Sequence, residues 1–231
     1  MIHLASKSPR RRLLLDQIGV YYTIVDAPID EVRQPGEPPG RFVERMACEK
    51  AQAGLAALGD ARTGPVLAAD TAVVLDEQVL GKPRDAEHAM AILEALSGRM
   101  HHVISAVAVA GIRPWGAGGA LAGSEAREPT AGPVAGDGPR MPRVMTSVSR
   151  VWFREIGLDE RRGYCTSGEP LDKAGAYAIQ GRAAIFVARL DGSYSGVMGL
   201  PLFETASLLR EAGIDVRTPP VTSDRRTRSE S

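Results

Sequence analysis

An aspartate and a threonine, Asp70 and Thr71, interrupt the apolar run GPVLAADTAVVLDEQVLGKP at residues 64–83, and Lys82 stands just before its closing proline. Taking a carboxylate out of water is costly unless a partner or a task compensates, so strand formation alone gives no reason for an aspartate here. Two readings are open. Asp70 either lies near a strand end, facing water or pairing with Lys82 across a hairpin, or serves as general base or metal ligand in a phosphate cleft, with Lys82 as a point charge. A second cluster, Ser8-Pro9-Arg10-Arg11-Arg12, begins a helical pattern. Arginines in a first turn oppose the helix dipole by about 0.3–1 kcal/mol each when exposed, and a bound anion reverses that cost through backbone N–H groups and bidentate arginine bonds. The alternative is a solvated basic turn with its arginines in water. Glu31 in APIDE and Lys50 in ACEKA add one acid and one base, each by itself an ordinary surface charge.

The elements that must position these residues follow from periodicity and punctuation. MIHLA reads as a short strand and SKSPRRRLLLDQIG as a loop entering a helix, with Ser8 as N-cap, Pro9 at the first helical position and Gly19 as the stop. YYTIVDAPID reads as a second strand, followed by a Pro/Gly-rich loop through Gly40 and a helix from Arg41 to about Leu58. The strand at 66–75 leads into a hairpin at Asp76-Glu77, then a helix near 85–97 stopped by Gly98, then the strand HHVISAVAVAG. VMTSVSRVWF continues the sheet, LDERRGYCTSG reads as helix, two strands are expected at about 175–190 and 193–199, and Pro201 opens a last helix. Residues 112–143, rich in Gly, Ala and Pro without periodicity, read as a flexible insertion in an elongated hairpin loop, and 216–231 as a disordered polar tail. This mixed order of strands and helices predicts an α/β protein with a mixed sheet, one domain over 1–215.

At 231 residues, 44% of them hydrophobic, the chain has ample material for a core, and its formal net charge of zero confines any anion site to local clusters. Two cysteines, Cys48 and Cys165, without metal-ligand spacing argue against a disulfide framework. No window approaches the roughly 18 apolar residues of a membrane span, and the expectation is a cytoplasmic, unprocessed protein. The sequence lacks GxxxxGK[ST], GxGxxG after a strand, HExxH and GxSxG. His101 and His102, adjacent in a strand, face opposite sides and make poor joint metal ligands. Trp115 and Trp152 form no basic-aromatic stripe, which leaves nucleic-acid binding without support.

Seven blocks in order, LASKSPRR, IDE, EKA, AADTAVVLDEQVLGKP, LSGRMHHVISAVA, GEPLDKAGAYAIQG and GSYSGVMGLPLFET, closely resemble the Maf family of nucleoside triphosphate pyrophosphatases, from residue 2 to about 213 apart from the insertion. The resemblance implies an elongated mixed sheet flanked by helices, two lobes with a cleft between them, related to inosine triphosphate pyrophosphatase. It implies cleavage between the α and β phosphates with a divalent cation, Mg²⁺ or Mn²⁺ by the preference of oxygen ligands. By the same resemblance Asp70 is the proton acceptor for water, Arg11, Lys50 and Lys82 contact phosphates, Ser8 belongs to the phosphate clamp, and Glu31 and Asp70 hold the metal. Arg10, Thr71 and Gln180 match the specificity positions of the branch acting on dTTP and UTP rather than 7-methyl-GTP. A housecleaning role and a homodimer are further implications. The alternative from another class is a regulator of septum formation acting through a protein partner, for which Asp70 chemistry is dispensable.

Overall fold

The computed structural model describes residues 1–59, 63–111 and 141–216. The central strand is β3, Val66–Leu75, buried along nearly its whole length. Its side chains alternate between two cores: Leu67, Ala69, Val73 and Leu75 join one cluster, and Val66, Ala68, Ala72 and Val74 the other. A strand covered on both faces needs a continuous apolar run, which is how VLAADTAVVL reads apart from Asp70 and Thr71.

The mixed sheet has seven strands among the described residues, in the order β2-β1-β3-β5-β6-β7 with β4 also on β3. β1 (Ile2–Leu4) and β2 (Tyr22–Ile24) are parallel to one another, and β1 is parallel to β3. β4 (Gln78–Leu80), β5 (Met100–Ala110), β6 (Arg143–Phe153) and β7 (Val187–Asp191) extend the sheet by antiparallel pairing. The hairpin between β3 and β4 turns at Asp76 and Glu77, both at positive φ, the backbone a tight two-residue turn requires.

Helix α2, Pro39–Leu58, covers one face. Its apolar stripe carries small residues, Ala47, Ala51 and Gly54, opposite Ala106, Ala108 and Ala110 of β5, so helix and sheet approach closely. A Cβ at Gly54 would lie 2.9 Å from Val66 Cγ1 and 3.0 Å from Ala5 Cβ. Lys50, one position before Ala51, is carried inward with that stripe. Helices α1 (Pro9–Gln17), α3 (Ala86–Leu96), α4 (Leu158–Cys165), α5 (Tyr194–Met198) and α6 (Leu202–Glu211) complete the helices. Leu14 and Leu15 of α1, Leu93 and Leu96 of α3, and Leu208 and Leu209 of α6 fill the other core.

Three expectations are corrected. The first of the two late strands is replaced by 3₁₀ turns at Glu169–Asp172, Ala174–Ala176 and Arg182–Phe186, and β7 starts only at Val187. The cause is packing: Gly175 adopts φ +70° against β3, where a Cβ would lie 2.7 Å from Val73 Cγ2. The second is the helix α5, begun by the Ser193 side chain accepting from Gly196 N at 3.0 Å and ended by Gly199 at φ +120°. The strand read from YYTIVDAPID shrinks to three residues, because only those pair with β1. Residues 112–140 and 217–231, which hold most of the expected insertion and tail, lie outside the described residues; Arg143 already belongs to β6, and Val216 packs against the core. Ser8 occupies the N-cap of α1, but its side chain does not cap the helix.

Candidate active site

The site begins as a gap in the sheet. β1 pairs with β3 only at His3–Val66 and Leu4–Leu67, and β4 only from Val73–Leu80 to Leu75–Gln78. Between them, residues 68–72 have β5 on one side and, among the described residues, no strand on the other. Asp70 and Thr71 sit in that opening. Their side chains leave opposite faces of the strand, yet both line a single cleft of about 530 Å³ because the missing strand makes it reachable from either face.

Ser8, Arg10, Arg11, Glu31, Lys50, Asp70, Thr71, Lys82 and Gln180 all line this cleft. Asp70, 7% exposed, has Oδ1 2.7 Å from Lys50 Nζ, and the same ammonium lies 2.7 Å from Glu31 Oε1. Asp70 therefore pairs with Lys50 from α2 rather than with Lys82 across the hairpin, and its Oδ2 has no hydrogen bond among the described residues. Burial pushes the Asp70 carboxyl above its ordinary value, and the charges of Lys50 and Arg11 oppose that shift without cancelling it. Glu31 moves the other way. Partial burial raises it, but the hydrogen bond and charge of Lys50, with Lys82 and Arg11 behind, hold the carboxyl below its usual range.

The arginines are anchored from the far side of the cleft. Arg10 Nε donates to Met198 O at 3.1 Å, Arg11 Nε to Gly199 O at 2.8 Å, and Arg11 Nη1 to Ser6 Oγ at 3.2 Å. Desolvation lowers both guanidinium pKa values, with Asp172 opposing at Arg10 and Asp70 at Arg11, but an arginine stays charged. Arg12 does not line the cleft. Thr71 lies directly opposite Ser105 of β5, their hydroxyls 2.8 Å apart, and Ser105 donates onward to Gly196 O at 2.7 Å. Lys82 and Gln180 are exposed, and neither makes a side-chain hydrogen bond or ion pair among the described residues.

Six cationic side chains line the cleft against four acidic ones. Lys7 pairs with Asp26, Lys173 with Asp172, and Lys50 with both Glu31 and Asp70, which leaves Arg10, Arg11 and Lys82 without a carboxylate partner among the described residues. A pocket with unpaired cations beside a buried carboxylate suits a polyanion together with a group that accepts a proton.

Residues 1–212 match the family model described as Maf-like protein. This chain belongs to the Maf family. It is 48% identical over 217 residues to a dTTP/UTP pyrophosphatase of Alkalilimnicola ehrlichii, covering 93% of this chain and 94% of that protein. It is 47% identical over 224 residues to a dTTP/UTP pyrophosphatase of Aromatoleum aromaticum, covering 92% and 95% respectively. A solved HAM1 protein from Coxiella burnetii overlaps 91% of this Maf-family chain and 98% of its own at 17% identity, with a TM-score of 0.44. Among the described residues no helix is long and apolar enough to cross a membrane.

Several groups at the cleft of this Maf-family chain escape sequence reasoning: Ser6, Asp172, Lys173 and the carbonyls of Met198 and Gly199 on its lining, and Ser105 and the Gly196 carbonyl beneath it. Ser105 is the lone polar residue in VISAVAVA, but nothing local reveals that it stands opposite Thr71. The carbonyls carry no side-chain signal at all.

Proposed function

We propose that this protein hydrolyses dTTP and UTP to the nucleoside monophosphate and pyrophosphate, with Asp70 as proton acceptor. The observation that carries the reading is the convergence of a buried, raised-pKa carboxylate and three cations without carboxylate partners on one cleft. The names of the relatives supply the substrate class.

Asp70 Oδ1 is held by Lys50, so Oδ2 is the atom free to take the proton of a water attacking the α-phosphorus. The bond to the bridging oxygen breaks, and pyrophosphate leaves with that electron pair. Arg11 and Lys82 receive phosphate oxygens, Arg11 already oriented by Gly199 O. Ser8, whose side chain leaves its helix uncapped, offers its hydroxyl to the same oxygens. Thr71, Arg10 and Gln180 read the base.

Glu31 and Asp70 converge within 2.7 Å of one ammonium position, and no group of three or more His, Cys, Asp or Glu side chains suited to a metal occurs among the described residues. Two carboxylates fit Mg²⁺ or Mn²⁺, which take one or two protein carboxylates and complete their shell with water and substrate phosphates. Such a cation would neutralise charge developing on the phosphates.

The test is pyrophosphate release from dTTP, UTP, CTP, GTP, ITP and 7-methyl-GTP with Mg²⁺ or Mn²⁺. Release from dTTP and UTP that disappears with Asp70→Asn supports the reading. A folded wild-type protein that releases none overturns it in favour of a protein-binding role.

A further inference from the structure

The hydroxyl pair beneath the cleft has only one consistent arrangement of protons. Gly196 O accepts and cannot donate, so the single proton of Ser105 goes to it at 2.7 Å. The 2.8 Å contact between Thr71 and Ser105 must then be made with the Thr71 proton. Ser105 is 1% exposed, so no water offers it another partner. What Thr71 presents to the cleft is a lone pair.

An acceptor at this position repels phosphate oxygens and welcomes a donor. Gln180 does not make the same distinction: exposed and without a side-chain hydrogen bond, its amide turns to present either a donor or an acceptor. Resting on the pyrophosphatase reading, we propose that Ser105 is a positioning residue that locks Thr71 as an acceptor, so that the cleft selects a base with a ring N–H, the imide of uracil or thymine, over cytosine, whose ring nitrogen is itself an acceptor. Gly196, in the turn whose neighbouring carbonyls orient Arg10 and Arg11, closes the relay. One short segment thereby holds Thr71, Arg10 and Arg11 in place.

The experiment compares kcat and KM for UTP, CTP and dUTP in the wild type, Ser105→Ala, Thr71→Val and the double variant, with melting temperatures alongside. Wild type is expected to favour UTP over CTP. Ser105→Ala frees the Thr71 hydroxyl to donate, and the kcat/KM preference is expected to narrow by about tenfold, the scale of one neutral hydrogen bond, chiefly through KM. In the Thr71→Val background the Ser105 change should do nothing further to the ratio, and Ser105→Thr, which keeps the hydroxyl, should retain the preference. An unchanged ratio in folded Ser105→Ala, or a narrowing that persists with Thr71→Val, overturns the relay. A shift in UTP against dUTP in place of UTP against CTP also overturns it, assigning Thr71 to a ribose hydroxyl. If Ser105→Ala does not fold, Ser105→Cys, a weaker donor of similar size, carries the comparison. Calorimetric Kd values for the α,β-methylene analogues of UTP and CTP separate this proposal from the pyrophosphatase reading. A wild type without turnover whose uridine preference depends on Ser105 refutes only the hydrolysis, and one that binds neither analogue refutes both.

Discussion

Asp70 and Thr71 are neighbours in the chain, but they work on opposite sides of one strand. On the Asp70 side, three charged groups from three segments meet at a single ammonium: Glu31 from the loop after β2, Lys50 from α2 and Asp70 from β3. On the Thr71 side, neutral hydroxyls and backbone carbonyls set directions: Thr71 to Ser105, Ser105 to Gly196, Arg10 to Met198 and Arg11 to Gly199. The first arrangement tunes charge and the second tunes orientation. A missing strand between β1 and β4 lets one cleft use both. Changes on the first side should therefore move rate and pH dependence, and changes on the second chiefly affinity and selectivity.

The strongest way to break this division is Asp70→Asn, which should lower kcat for dTTP by about 10²- to 10⁴-fold, the usual worth of a general base. Its melting temperature at pH 7 should not fall. A folded-state pKa raised by burial means that the charged form weakens the fold as pH rises through that value, and asparagine removes the charge. A large drop in melting temperature would assign Asp70 a structural role. Lys50→Met comes next: it leaves the buried carboxylate without its counter-charge, at a cost of about 3–5 kcal/mol in stability. The same variant should move the acid limb of the kcat/KM profile upward, from a wild-type position already above the ordinary carboxylate value of 3.8. An acid limb that stays put would dissociate it from Asp70.

On the other side, Arg11→Ala should raise KM for dTTP by about 10- to 100-fold, because hydrogen bonds to charged groups are worth about 1.5–3 kcal/mol. Arg11→Lys should not restore it, since a lysine cannot reach Gly199 O, Ser6 Oγ and a phosphate with one planar fork. Arg11→Ala also removes a charge that holds the Asp70 carboxyl down, so its acid limb should move upward by less than in Lys50→Met, whereas Arg11→Lys keeps the charge and should leave the limb in place; a limb displaced by Arg11→Lys would show that orientation and charge are not separable here. The smallest effect belongs to Glu37, outside the cleft, whose carboxyl is held down to about 2 by the hydrogen bonds from Arg45. A depressed carboxylate contributes stability that is present above its ordinary 4.5 and lost as pH falls toward 2. Melting curves of Glu37→Gln should therefore lack part of the wild-type decline across that interval.

Much of this was legible in the chain. The apolar run around Asp70, the arginine turn after Ser8-Pro9 and the hairpin at Asp76-Glu77 each follow from local composition, and the helix from Arg41 to about Leu58 from its spacing, two residues short of its start at Pro39. The segments at about 175–190 and 193–199 read as strands because alternating small and apolar residues satisfy either conformation, and only Val187–Asp191 is one. Contact with Val73 at Gly175 and the Ser193 cap decided otherwise.

The chain supplies the side chains: a carboxylate inside an apolar strand, arginines at a helix start, and the ordered blocks of its family. Those are properties of residue type and local spacing, which need no knowledge of the fold. Long-range packing is what brings Asp70 to Lys50 rather than Lys82, and Ser105 to Thr71. Both depend on strand register, helix placement and a gap in pairing. Each of these joins positions far apart in the chain, and the free energy that selects them is spread over two cores rather than written at the residues that meet.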